Sequence, residues 1–161
     1  MSLSRKYGRT YHYPFSEGTT SDDRINHEWW DDLNELDEVV QLEKLDGENN
    51  CVSELGVFSR SHATQTRHPW AEWLKPHQKR MENDLKSEGI EIFGENLYGI
   101  HSIKYLDIET HFYVFGIRKK DKWLSWEEVK WYCEFFELSI VPELRFDKVK
   151  EYDDKKTYES S

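Results

Sequence analysis

The sequence predicts an α+β domain, antiparallel strands with flanking helices, on three observations. Short stretches with apolar alternation recur between glycine-containing turns and read as strands. Two longer stretches carry apolar and aromatic residues at helical spacing, one opening at Pro69 and one at Ser125. The chain has 161 residues, enough for one core and hardly for two.

In chain order, residues 1–20 are polar and aromatic with Pro14 and Gly18, and read as an arm packed on the domain. Met1-Ser2-Leu3 resembles an expression scar. Ser21 to Leu33 reads as a short helix or irregular segment with Ser21 or Asp22 as N-cap. Strands are expected over Val39–Lys44, Asn49–Ser53 and Val57–Arg60. A helix starting at Pro69 carries Trp70, Trp73, Leu74, His77 and Met81 and runs up to Gly89. Ile90–Leu97, Ile100–Tyr105 and His111–Arg118 read as strands. Ser125 and Glu128 make a capping box for a helix to Leu138, with Val129, Trp131, Tyr132, Phe135 and Phe136 along it. Ile140–Leu144 is a last strand, and 147–161 a charged, frayed tail after a domain expected over 21–146.

Charged residues make up 34% of the chain and mean hydropathy is −0.90, but aromatics reach 15% with seven Trp, so much of the core is expected to be aromatic. No apolar run has the length of a membrane span and no secretory signal opens the chain. Two cysteines, Cys51 and Cys133, lack metal-ligand spacing and suggest a reducing, cytoplasmic setting. A net charge of −10 argues against nonspecific coating of nucleic acid, because phosphate contacts come from Lys and Arg. The exception is Arg60 to Arg80, where Arg60, Arg67, Lys75, Lys79 and Arg80 face one acid, Glu72. Lys75, Lys79 and Arg80 are expected to be a solvated helix face. The seven histidines form no metal signature; His62 and His68 flank Arg67, and His101 stands alone.

The segment Glu43-Lys44-Leu45-Asp46-Gly47-Glu48-Asn49 leaves the first strand. A lysine held there at fixed depth suits a nucleophile, provided the site makes its amine neutral. The same residues also fit a plain hairpin turn at Asp46-Gly47 with an exposed lysine beside it. Three segments follow in order: Val57-Phe58-Ser59-Arg60-Ser61, Ile92-Phe93-Gly94-Glu95-Asn96-Leu97-Tyr98-Gly99 and Phe112-Tyr113-Val114-Phe115-Gly116-Ile117. The ordered set resembles motifs I, Ia, III and IIIa of the covalent nucleotidyltransferases, the superfamily of ATP-dependent ligases and capping enzymes. Lys6-Tyr7-Gly8-Arg9-Thr10, Thr20-Ser21-Asp22-Asp23, Gly94 to Tyr98 and Leu124 to Glu128 bring it closest to the RNA ligases.

The resemblance implies a partial nucleotidyltransferase domain of RNA/DNA ligase type. Lys44 would attack the α-phosphate of ATP and become lysyl-AMP through a phosphoramidate, in order to join 5′-phosphate and 3′-hydroxyl RNA ends. Asp46 would orient groups around it, although Asp46 also suits a turn. Glu43 and Asn49 would lie in the nucleotide pocket. Arg60 would clamp sugar or phosphate with its donor fork. Glu95 would accept ribose hydroxyls, and Phe115 would stack on adenine. Alternation puts Tyr113 on the same face as Phe115, with Phe112 opposite, and only the resemblance selects Phe115. Mg²⁺ would arrive with the triphosphate.

The family's Glu-Gly-x-Val motif IV is not found after Phe115. Lys148-Val149-Lys150 has the paired-lysine spacing of motif V but opens the tail, and is read as coincidence. The chain thus reads as the front part of such a domain (short, frameshifted or a fragment), with weak or absent activity alone and open edges that favour self-association. Other readings are a catalytically inactive nucleotide-binding module, a DNA ligase or capping enzyme, and an unrelated interaction protein.

Overall fold

The computed structural model describes residues 7–60, 64–99 and 111–148, without the side chains of 145–148. The strand expected over Ile100–Tyr105, His62, His101 and the chain from Val149 on lie outside the described residues. Two compact units are present, one of residues 1–7 and 43–142, the other of 8–42 and 143–161.

In the smaller unit, α1 (Trp29–Asn34) buries Trp29 and Leu33, against which Trp30 and Val39 pack. Only this short turn of helix forms where Ser21 to Leu33 was expected to be helical or irregular. Its start has no side-chain cap, and Asp23 instead accepts from the Thr20 amide at 2.7 Å. β1 (Glu38–Leu42) pairs antiparallel with β8 (Glu143–Lys148) in a two-stranded sheet.

The larger unit is built on a six-stranded sheet among the described residues. β2 (Glu48–Ser53) and β3 (Gly56–Ser59) form a hairpin, and β2 continues into β4 (Ile90–Asn96), which pairs with β5 (Phe112–Lys119). β6 (Lys122–Trp123) closes the path, all of it antiparallel, while β7 (Ser139–Ile140) adds to β5 in parallel. The single strand expected over Ile140–Leu144 is therefore two. Pro142 lies between them, and a proline has no amide to donate to a ladder.

The helix expected from Pro69 also divides. Pro69–Ala71 is a 3₁₀ turn capped by His68, and α2 (Leu74–Glu88) starts later, ending on Gly89 in the left-handed region at φ 65°. α3 (Trp126–Phe136) starts as its capping box predicts: Ser125 Oγ accepts from the Glu128 amide at 3.3 Å and donates to Glu128 Oε1 at 2.9 Å. Leu74, Met81 and Leu85 of α2 and Val129, Tyr132, Cys133 and Phe136 of α3 form one core with Val52, Val57, Ile90, Ile92, Val114 and Ile117. Both helices thus cover the same face of the sheet. Burial pushes the Cys133 thiol up to about 12, consistent with a structural thiol.

Candidate active site

β1 and β2 belong to different sheets, so the segment bearing Lys44 links two sheets and is not the tip of a hairpin. The plain-turn alternative at Asp46-Gly47 is corrected on that ground. Glu43 donates its amide to the Pro142 carbonyl at 2.9 Å, and the Glu43 and Lys44 side chains are exposed. Leu45 is buried and anchors the segment; Asp46 is half-buried. The Gly47 amide donates to Glu95 Oε1 at 2.9 Å. A Cβ at Gly47 would overlap the Asn96 carbonyl oxygen and lie 2.7 Å from Leu97 Cδ2, so only glycine lets the segment lie this close to β4.

The ladders align the next residues. Asn49 of β2 is the register partner of Glu95 of β4, and Glu95 is the partner of Tyr113 of β5. Their neighbours Asn50 and Val114 are buried on the helix-covered side, which puts the row Asn49, Glu95, Tyr113 on the other face. Asn49 Oδ1 is buried with no hydrogen-bond partner among the described residues, a condition that costs about 1–3 kcal/mol until a donor arrives.

One step along the strands, Cys51, Phe58 and Phe93 form a second cluster with Phe115 and Tyr7 packed against it. Phe115 reaches that place through a bulge. Phe93 pairs with Gly116 and Gly94 with Val114, so Phe115 has no partner across the ladder. Arg60 is exposed just past β3. Burial raises the Tyr7 phenol above its ordinary range, and the Arg60 charge partly offsets this.

Behind the row, Asn96 binds four groups. Its Oδ1 accepts from Trp73 Nε1 at 3.2 Å and the Tyr98 amide at 3.0 Å, and its Nδ2 donates to Asn50 Oδ1 and the Trp70 carbonyl, both at 2.9 Å. Sequence reasoning missed Asn96 as the residue that fixes the Glu95 strand, and read Gly47 only as a turn glycine, not as the seat of the Lys44 segment on β4; the signals lay in the Gly94 to Tyr98 block and in the Lys44 to Gly47 motif. His68 Nδ1 lies 3.4 Å from Glu48 Oε2, yet it accepts the Trp70 amide, so this nitrogen carries no proton to donate to the carboxylate. Of the basic stretch, Lys75 pairs with Glu72 at 2.6 Å and Lys79 with Glu82 at 2.9 Å, the solvated helix face expected.

No group of three or more His, Cys, Asp or Glu among the described residues is placed to hold a metal ion, and no described helix is long and apolar enough to cross a membrane. Lys148 ends β8, and its neighbours in the paired-lysine sequence lie outside the described residues.

In fold the chain resembles polynucleotide ligases. An archaeal ATP-dependent RNA ligase matches at 19% identity and TM-score 0.57, over 74% of this chain and 35% of that one. A Naegleria gruberi RNA ligase variant with ATP and Mn matches at 18% and 0.58, over 89% and 50%. A putative ATP-dependent DNA ligase from Aquifex aeolicus matches at 18% and 0.56, over 81% and 38%. The chain thus spans about a third to a half of the length of these proteins. No curated protein matches its sequence. The RNA ligase family model matches residues 37–160, and the chain belongs to the RNA ligase family.

Proposed function

We propose that this chain carries the nucleotide-binding and lysine-bearing part of an ATP-dependent RNA ligase, with Lys44 as the nucleophile. The neutral Lys44 amine attacks the α-phosphorus of ATP; a P–N bond forms, the bond to the bridging oxygen breaks, pyrophosphate leaves and the amine proton passes to solvent. The AMP then moves to an RNA 5′-phosphate, and a 3′-hydroxyl displaces it as the ends are joined. Asp46 orients the segment, Glu43 and Asn49 take the nucleotide, Glu95 accepts from the ribose, Arg60 holds sugar or phosphate and Phe115 stacks on the base. A divalent cation, Mg²⁺ in this reading, would come with the triphosphate and offset its charge.

The observation that carries this reading is the bond between Gly47 and Glu95. It ties the backbone three residues after Lys44 to the carboxylate that also faces Asn49, which supports reading Lys44, Asn49 and Glu95 as parts of one site. The Naegleria gruberi RNA ligase variant with ATP and Mn supports the choice of nucleotide.

Incubation with ATP and Mg²⁺ followed by intact-mass measurement tests it. One AMP is expected on the wild type and none on Lys44→Ala, and an adduct on Lys44→Ala overturns the assignment. Thermal stabilisation by ATP without any adduct favours a noncatalytic nucleotide-binding module instead.

A further inference from the structure

The sequence-based site contains one aromatic ring, Phe115, yet the structure seats a second ring against it from a distant part of the chain. The Tyr7 ring centre lies 5.1 Å from Phe115, 5.6 Å from Phe93 and 5.4 Å from Trp123, edge-on to Phe115 and Trp123 at 77° and 80° and tilted to Phe93 at 52°. Trp123 in turn lies 5.1 Å from Phe93. Arg118 closes the outer side, its guanidinium 5.2 Å from the Phe93 ring centre and 5.5 Å from that of Trp123, while Glu91 accepts from its Nε at 2.7 Å. Tyr7 is the member of this cluster not supplied by the sheet. Within the unit of residues 1–7 and 43–142 it is the described residue that precedes the Lys44 segment.

This aromatic cluster and the row Asn49, Glu95, Tyr113 share the face that the helices leave uncovered. Phe93 and Glu95 are two residues apart on β4, a separation of about 7 Å along a strand. A nucleoside with its ribose at Glu95 and its base on Phe115 would meet the Tyr7 ring at the far edge of the base. The Arg60 charge also acts on the Tyr7 hydroxyl.

We propose that Tyr7 is a positioning residue for the nucleotide, forming with Phe115 the wall against which the base is set. The inference rests on the nucleotide site proposed above. It assigns part of base recognition to the segment before the smaller unit, with the ring as the working group.

Binding of AMP and of ribose 5-phosphate, which keeps the sugar and phosphate but has no base, separates the possibilities. Tyr7→Ala is expected to weaken AMP binding about tenfold, at the upper end of an aromatic contact, and to leave ribose 5-phosphate binding unchanged. Tyr7→Phe, which keeps the ring, is expected to bind AMP nearly as the wild type does. Equal weakening of both ligands would mean a purely structural ring and overturn the proposal. Unchanged or tighter AMP binding by Tyr7→Ala would overturn it too, since the ring would then merely cover the face. If Glu95→Ala weakens AMP binding while Tyr7→Ala does not, this inference falls and the nucleotide site stands. If the wild type binds no AMP, both fall.

Discussion

The two faces of the β2–β4–β5 sheet are one residue out of phase on the same strands, and they differ in composition. The helix-covered face presents Val52, Ile90, Ile92, Val114 and Ile117 to α2 and α3 in one apolar core. The opposite face begins with aromatic packing at Cys51, Phe58, Phe93 and Phe115 and turns polar at Asn49, Glu95 and Tyr113, toward the end where the Lys44 segment enters. A strand's alternation thus lets one ladder present an apolar core on one side and, on the other, the polar groups of the proposed nucleotide site. Substitutions on the two sides are therefore expected to separate in what they damage.

The largest effect belongs to the core side. Leu85→Ala, at a fully buried α2 residue, is expected to lower stability by about 2–5 kcal/mol in chemical denaturation, leaving ATP affinity of the folded fraction unchanged. A loss of affinity at constant fold would break the separation. Gly47→Ala puts a Cβ into the end of the β4 backbone, and a cost of about 1–3 kcal/mol is expected together with loss of AMP labelling. Retained labelling would mean that the segment does not need its seat on Glu95.

Glu95→Ala is expected to weaken nucleotide binding by about 1–3 kcal/mol in titration calorimetry, through a lost charged acceptor, with a smaller change in melting temperature. If it binds ATP as the wild type does while Phe115→Ala does not, the ribose role is wrong and stacking survives. Away from both faces, Ser125→Ala removes the α3 cap and should cost about 1 kcal/mol of stability, with labelling unaffected. The smallest effect concerns acid. Hydrogen bonds from Lys119 and Tyr132 hold the Glu88 carboxyl below its usual range. Because its folded pKa is depressed, its stabilisation is present above the unfolded value and fades as pH falls through the folded one. Glu88→Gln should flatten that slight decline in melting temperature.

The helix α3 was legible because its signals are local: a serine, a glutamate three residues on, and an apolar stripe. The strands carrying Glu95 and Phe115 were legible by alternation for the same reason. The partner of β1 was not, since nothing near Val39 says that it pairs with β8 more than a hundred residues later. The start of α2 was misplaced because Pro69 is a good first helical residue, while Trp73 is held by Asn96 across the fold. In the site, residue types and order suggested Lys44, Asn49 and Glu95 one by one. The alignment of Asn49 with Glu95 depends on β2–β4 register, and the contact of Tyr7 on Phe115 depends on where a distant segment comes to rest. Neither has a local signature.

The unpaired position of Phe115 bears on how this site tolerates changes of length. Val114 and Gly116 pair with adjacent residues of β4, so Phe115 is an inserted residue in an otherwise regular strand. Removing it would leave Val114 and Ile117 facing the helices as before, whereas removing a paired residue such as Tyr113 would turn one part of the strand inside out. The sheet therefore holds Phe115, the aromatic residue of the proposed site, outside its own pairing frame, where that side chain can vary, or be lost, without disturbing any other pairing in β5.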